Sequence, residues 1–133
     1  MLASEVITVS IRRPYAEVYE FLADPMNFTR WASAPGSIME PLGGSDWLVD
    51  LAAGRRVIRL AARNAYGVFD YQVFAPGEDG GPTVPARLVA NQEGADFSLV
   101  WFGPEGMSEE QYRSEIEWAV SDMQRLKVLL EGG

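Results

Sequence analysis

Three side chains in the second half of the chain carry groups that can move or hold a proton. Asp70 and Tyr71 are neighbours in one β-rich run, and Arg87 lies in the next run. A carboxylate and a phenol can exchange a proton with an enolisable substrate, and a guanidinium can bind a carboxylate, phosphate or enolate. These residues predict acid–base chemistry only if the fold brings them together inside one cavity.

The composition removes the most common catalytic and metal-binding chemistries. The 133 residues include no histidine and no cysteine. This excludes a Ser-His-Asp triad, a thiol nucleophile, and imidazole or thiolate metal sites. We therefore expect no metal and no cofactor, and any proton carrier would need a strongly shifted pKa.

The charge balance bears on partners and location. Eleven basic and 19 acidic residues give a formal net charge of −8, which argues against binding nucleic acid. The sequence shows neither the roughly 18-residue apolar run of a membrane span nor a signal-peptide pattern. We expect a soluble cytoplasmic protein, with residues 1–133 forming a single domain.

Apolar periodicity divides most of the chain into short elements. Alternation predicts a first strand at Val6–Ile11. Pro14 and Asp24-Pro25 then open two short helices, because proline suits the first helical turn and Asp caps free N–H groups. Turn signals after Gly36 predict an antiparallel meander of six strands: Ser37–Leu42, Asp46–Ala52, Val57–Ala62, Val68–Ala75, Thr83–Ala90 and Ala95–Phe102.

The last segment has the pattern of a long amphipathic helix. Ser108 is followed three residues later by Gln111, which is the spacing of a capping box. About 23 residues then carry one apolar stripe, and at 1.5 Å per residue they extend roughly 35 Å. We expect this stripe to be buried against the sheet.

This order of elements, together with several short motifs, resembles the START/SRPBCC superfamily. Its members share the helix-grip fold and include birch-pollen allergens and polyketide cyclase/dehydrase-like proteins. The resemblance implies an α+β fold in which a curved antiparallel sheet of about seven strands surrounds the C-terminal helix. It rests on Pro14, Val18, Phe21-Leu22, Asp24-Pro25, Trp31, Gly67-Val68-Phe69-Asp70, Pro85-Ala86-Arg87-Leu88-Val89, Leu126-Lys127 and Leu130-Glu131.

The resemblance implies a small, mostly apolar ligand, lipid-like or polyketide-like, between sheet and helix. Two other functions of the superfamily stay open: a cyclase or dehydratase, and a protein-interaction module like the heat-shock ATPase activators. Catalytic residues are not assigned. The candidate cavity residues are Trp31, Trp47, Asp70, Tyr71, Arg87, Phe97, Trp101 and Met123.

Strand alternation leaves the direction of several of these side chains open. Arg59 and Arg63 share a face with Asp70, and we favour an outer ladder of ion pairs over a buried polar cavity because buried charge is costly. Arg87 falls on the face of Phe97, so its side chain either enters the cavity or reaches solvent at the strand end. The aromatic residues either line a ligand site or fill the core.

The run Val68–Ala75 is apolar on both faces, although a sheet with one face on a helix should leave the other polar. Phe69, Tyr71 and Val73 lie on one face, and Val68 and Phe74 on the other. We expect the surplus to be covered either by loops or by a symmetric contact in a homodimer.

Overall fold

The computed structural model describes residues 1–32, 37–51 and 54–132, and it has the expected α+β class. The first strand leads through two short helices into an antiparallel meander, and a long helix follows. A 3₁₀ turn at Pro25–Asn27 separates the short helices. The elements are β1 (Ala3–Ile11), α1 (Tyr15–Ala23), α2 (Phe28–Trp31), β2 (Glu40–Gly43), β3 (Asp46–Leu51), β4 (Gly54–Leu60), β5 (Tyr71–Phe74), β6 (Thr83–Val84), β7 (Ala86–Asn91), β8 (Gly94–Gly103) and α3 (Glu109–Glu131).

The strands form two antiparallel groups that meet at a seam. The three-stranded half has the order β1-β8-β7, and the five-stranded half has the order β2-β3-β4-β5-β6. At the seam, Phe69 N donates to Ala86 O over 2.9 Å and Leu88 N donates to Gly67 O over 2.8 Å. These bonds join the two halves along one curved surface.

The predicted strand Thr83–Ala90 is divided into β6 and β7 by Pro85. Proline has no N–H to donate to a ladder. The Asp70 carboxylate instead accepts from the next amide, Ala86 N, over 2.9 Å, while Val100 N donates to Pro85 O over 3.0 Å. The eight strands therefore correspond to about seven predicted ones.

Only part of the predicted strand Val68–Ala75 forms. The regular strand is Tyr71–Phe74, and Val68 makes an isolated bridge to Arg87. The Asn64 side chain fixes the preceding turn, since its Oδ1 accepts from Val68 N over 3.1 Å and its Nδ2 donates to Val68 O over 2.8 Å. Ladder bonds are replaced by side-chain bonds in this segment. At the end of another predicted strand, Ala52 lies outside the described residues.

The long helix α3 begins at the predicted cap. Ser108 Oγ accepts from Gln111 N over 3.1 Å. The buried stripe of α3 packs against β1 and α2, and it consists of Ala119, Met123, Leu126 and Leu130. Near its end, Lys127 Nζ donates to Ser10 O, and Glu131 accepts from Arg12 N over 2.8 Å.

The core is unevenly divided between the two halves. A large cluster lies between α3, the short helices and the three-stranded half. The buried cluster of the five-stranded half is small, with Met39, Val49 and Ile58 at its centre. Phe28 contacts both clusters. The long helix thus covers one half of the sheet much more fully than the other.

A loop covers much of the outer face of the five-stranded half. Phe74 on that face is 5 % exposed. The Arg59 guanidinium lies 5.1 Å from the centre of its ring, and Gly81 lies so close that an added Cβ would be 2.9 Å from Phe74 Cβ. Gln72 Oε1 fixes the loop by accepting from Gly81 N over 3.2 Å. The sequence left open whether loops or a homodimer contact cover the segment Val68–Ala75. At Phe74 the cover is a loop.

Candidate functional site

The concave side of the five-stranded half presents a partly exposed apolar surface, which we call the inner wall. Strand register places Trp47 and Val73 on either side of Ile58, and Tyr71 beside Leu60. Ile58 is fully buried, whereas its neighbours are only half-buried because α3 packs mainly on β1 and α2. The inner wall consists of Trp47, Leu51, Leu60, Tyr71 and Val73.

Polar groups from three elements meet beside the inner wall. Arg125 Nη1 on α3 donates to Trp31 O of α2 over 2.8 Å and to Asp122 Oδ1 over 3.3 Å. Tyr71 on β5 lies close enough to Asp122 for the carboxylate charge to raise the pKa of its phenol. We call Tyr71, Asp122 and Arg125 the polar cluster.

Burial governs the protonation of the polar cluster. Desolvation raises the pKa of Asp122 to about 6, although Arg125 acts in the opposite direction. Burial is also the main cause that raises the pKa of Tyr71, so the phenol keeps its proton at neutral pH. No described residue hydrogen-bonds the Tyr71 hydroxyl. The site therefore offers an unused O–H donor beside a carboxyl group that titrates near neutrality.

Trp101 lies on the inner side of β8, facing the first half of α3. Its Nε1 donates to Glu115 Oε1 over 3.1 Å, and its carbonyl accepts from the Tyr112 hydroxyl over 3.1 Å. Trp101 is half-buried, and Trp118 on the same helix is 49 % exposed. These contacts hold the Trp101 side chain between β8 and α3.

Aromatic residues pack tightly where the short helices meet the sheet. The Trp31 and Phe97 rings lie 6.1 Å apart, as do the Phe69 and Phe97 rings, both in edge-on contact. Trp31, Phe97 and Met123 are 6 %, 2 % and 1 % exposed. These three predicted cavity residues therefore belong to the packed core, and the space around them is filled.

Two surface depressions formed by described residues lie away from the polar cluster. The larger holds ≈ 470 Å³ near the end of β1 and is lined by residues such as Arg12, Gln92 and Lys127. The smaller holds ≈ 10 Å³ and involves Glu40 and Arg55.

Asp70 and Arg87 lie away from the inner wall. They form an ion pair in which the Arg87 side chain is 49 % exposed and the Asp70 side chain is 33 % exposed. Register places Arg87 opposite Ser98 and Leu88 opposite Phe97. The interpretation that put Arg87 on the face of Phe97 is therefore wrong.

The two other arginines of the expected ladder take separate partners. Arg59 pairs with Asp46 over 2.7 Å, and Arg63 pairs with Glu20 of α1. The preference for outward-facing ion pairs agrees with these contacts. The expected sharing of one ladder with Asp70 is wrong, because the Asn64 turn prevents a regular hairpin.

Sequence reasoning missed Asp122 and Arg125. Both lie on α3 beside the apolar stripe, where a charged residue commonly faces solvent. Asp122 directly precedes the buried Met123, and this adjacency is the only sequence signal for its position. Tyr71 and Trp47, which were predicted, do face the concave side, while their role in binding stays a prediction.

Two further properties of the described residues bear on function. Their acidic side chains form no group of three or more that could hold a metal ion. Among the described helices, none combines the length and apolar character needed to cross a membrane.

Solved structures match this chain over nearly its whole length, whereas no protein-family model and no curated protein sequence matches it. The Aha1 dimer from Colwellia psychrerythraea matches with a TM-score of 0.73 and 14% identity, covering 97% of this chain and 96% of that one. Ara h 8.0201 matches with a TM-score of 0.71 and 11% identity, and both chains are covered fully. The chain has the helix-grip fold.

CalU16 from Micromonospora echinospora is a third match, with a TM-score of 0.66 and 16% identity. The match covers 98% of this chain and 76% of the CalU16 chain. The helix-grip arrangement predicted from the sequence is confirmed by these matches at the level of the fold. At such identities the fold alone is shown, and function must be argued from the site.

Proposed function

We propose that this helix-grip protein binds a small, mostly apolar molecule on the inner wall, between β5 and α3. The wall is apolar and half-buried, which is the usual character of a surface that a small ligand covers. Trp101 on β8 and Trp118 on α3 add partly exposed aromatic side chains. A lipid-like or polyketide-like molecule has an apolar body that matches the apolar side chains of the inner wall.

The unpaired Tyr71 hydroxyl is the observation that carries the proposal. Tyr71 is half-buried, and its hydroxyl is not among the fully buried unpaired atoms, so this donor reaches the surface of the inner wall and is free to bond a ligand. A ligand with one hydrogen-bonding group would pair with Tyr71 while its apolar body covers Leu60 and Val73. The polar cluster would thus orient the ligand, and the inner wall would supply the apolar contact.

Binding is favoured over catalysis by the position of the charged residues. Asp70 and Arg87 pair on the outer surface, so the acid–base arrangement that would use them is absent. Within the polar cluster, Tyr71 keeps its proton because its pKa is raised, and it therefore serves as a donor rather than a base. A carrier or sensor needs only these features.

A matched pair of probes tests this proposal. 2-Naphthol and naphthalene share an apolar body, but only the first carries a hydroxyl group. We expect 2-naphthol to bind more tightly, and Tyr71→Phe to weaken it about 5- to 10-fold, as for the loss of one hydrogen bond of about 1 to 1.5 kcal/mol. Displacement of an anilinonaphthalene dye measures both affinities.

Tyr66→Phe is the matched control, because Tyr66 is 82 % exposed and lies outside the site. It should bind both probes as the unchanged protein does. Absence of binding at millimolar concentration, or equal binding by the two variants, would refute the proposal.

We propose in addition that the outer face of the three-stranded half packs against a second copy of the chain. Val6 and Phe102 on that face are 62 % and 41 % exposed, and the central hydroxyls of Thr8 and Ser98 bond each other over 2.8 Å. Arg87 lies beside Ser98 on this face, and its charge is paired with Asp70, so the face around Val6 carries little net charge where two copies would meet.

A further inference from the structure

The polar cluster has more hydrogen-bond donors than acceptors. Arg125 uses only Nη1 for its bonds to Trp31 O and Asp122. Among the described residues, its Nε and Nη2 have no partner, and the Tyr71 hydroxyl has none either. A guanidinium carries five N–H donors. The unused donors therefore favour a ligand group that only accepts hydrogen bonds.

A carboxylate is the group that best matches these donors. Its two oxygens can accept from Arg125 as a pair, and one of them can also accept from the Tyr71 hydroxyl. The inner wall beside the cluster is apolar, so the rest of the ligand should be apolar as well. We infer that the ligand is an apolar carboxylic acid, bound as its anion beside Asp122 together with one proton from solution. This inference rests on the proposed binding function.

The proton follows from the position of Asp122. A bound carboxylate would lie beside the Asp122 carboxyl group, and two adjacent carboxylates in a partly desolvated site cannot both keep their charge. Burial already raises the pKa of Asp122 to about 6. A neighbouring anion would raise that pKa further, so Asp122 would take up a proton when the acid binds.

The groups that face Asp122 come from three elements. On α3 the facing charge is the Arg125 guanidinium. β5 contributes Tyr71, whose pKa is raised, and α2 contributes the Trp31 carbonyl, which carries no charge. The Glu115 carboxylate lies farther along α3 and bonds Trp101 Nε1. The proton is therefore assigned to Asp122.

Titration calorimetry at several pH values tests this inference with 2-naphthoate and 2-naphthol as probes. The carboxylate of 2-naphthoate stays ionised across this range. We expect its affinity to fall about tenfold for each pH unit above the pKa of Asp122, as linkage requires for the uptake of one proton. The affinity of the neutral 2-naphthol should change little over the same range. Decanoate, measured in parallel, distinguishes an aliphatic from an aromatic acid.

Asp122→Asn should remove the pH dependence. Asparagine carries no charge at any pH. At pH 8, the variant should therefore bind 2-naphthoate as tightly as the unchanged protein binds it at pH 5.5. Asp50→Asn is the matched control, since Asp50 pairs with Arg55 at the surface. This control should keep the full dependence on pH, and thermal unfolding of both variants confirms that they are folded.

Two results would overturn the inference while leaving the proposed function in place. One is 2-naphthoate affinity that does not change with pH, and the other is a pH dependence that survives Asp122→Asn. In both cases 2-naphthol would still bind and would still lose affinity in Tyr71→Phe. If neither acid nor 2-naphthol binds at any pH, the proposed function and the inference fail together.

Discussion

The two halves of the curved sheet meet the long helix in different ways. In the three-stranded half, the inward side chains Ile11, Phe97 and Leu99 are at most 3 % exposed beneath α3 and the short helices. In the five-stranded half, Ile58 is fully buried, but most of its inward neighbours are only half-buried. The denser packing is thus concentrated in one half, and the other keeps a partly exposed apolar surface.

On the outer side of the sheet, it is the five-stranded half that is better covered. The five-stranded half is covered at Phe74 by the loop before β6, with Arg59 lying over the ring. The three-stranded half leaves Val6 62 % exposed on its outer face. Each half therefore has one well-covered face and one face that leaves apolar side chains partly exposed.

Truncating one leucine in each half should give the largest contrast. Leu126 is fully buried in the cluster of the three-stranded half, whereas Leu60 is half-buried in the inner wall. Leu126→Ala should lower the free energy of unfolding by about 2 to 5 kcal/mol, because it leaves a cavity. Leu60→Ala should cost about 1 kcal/mol, because less apolar surface is lost. Urea denaturation measures both values, and equal losses would contradict the division into two halves.

Removing the Asp122 charge should raise the free energy of unfolding, by less than Leu126→Ala lowers it. Since its pKa is raised to about 6, the folded protein binds more protons than the unfolded chain between about pH 4 and pH 6. Stability from protonated Asp122 is therefore present at low pH and is lost as the pH rises through 6. At pH 7.5, Asp122→Asn should unfold with a free energy about 1 kcal/mol higher, a figure reduced for the exposed third of the side chain.

The same comparison at pH 4 is the control, because Asp122 is then protonated in the folded protein and the difference should disappear. Asp50→Asn should leave the free energy of unfolding within about 0.5 kcal/mol at both values. A variant that is less stable at pH 7.5 would show that the Arg125 contact outweighs the cost of burial.

A charge on the bare outer face should change assembly while hardly changing stability. Val6→Lys should shift the mass in light scattering toward the 14.7 kDa of one chain, because two like charges would approach in the dimer. Val89→Lys is a matched control on the same face, since Val89 is 59 % exposed but lies toward the far edge on β7. A single-chain mass for the unchanged protein at high concentration would refute the dimer.

Local patterns in the sequence were sufficient to predict most of the elements. The cap at Ser108 and the apolar stripe placed α3 within a residue of its observed start, and alternation located β1 and β8. The observed strands differ from the predicted ones where side chains take the place of backbone hydrogen-bond partners. Asn64 interrupts the strand before β5, and Pro85 divides the next strand while Asp70 takes its ladder partner.

The direction of individual side chains was less predictable, because it depends on register. Asn91 pairs with Gly94, and the turn between them has Gln92 at a φ of 53°. A shift of one residue in the register of this hairpin moves every side chain to the opposite face of the sheet. Such a shift separates the predicted inward direction of Arg87 from its observed outward direction. Asp122 could not be found from the sequence, since its burial depends on how α3 crosses a sheet formed by distant segments.

The pairing of β1 with β8 also has a consequence for the order of folding. Thr8 and Ser98 are neighbours in the sheet, although 90 positions separate them along the chain. The strands β2 to β5 pair with their sequence neighbours and can form as soon as they leave the ribosome, whereas β1 must wait until β8 has been synthesised. The half of the molecule with the denser core is therefore the later one to close. Until then, β1 lacks its pairing partner β8, and its apolar side lacks the helix α3 that covers it.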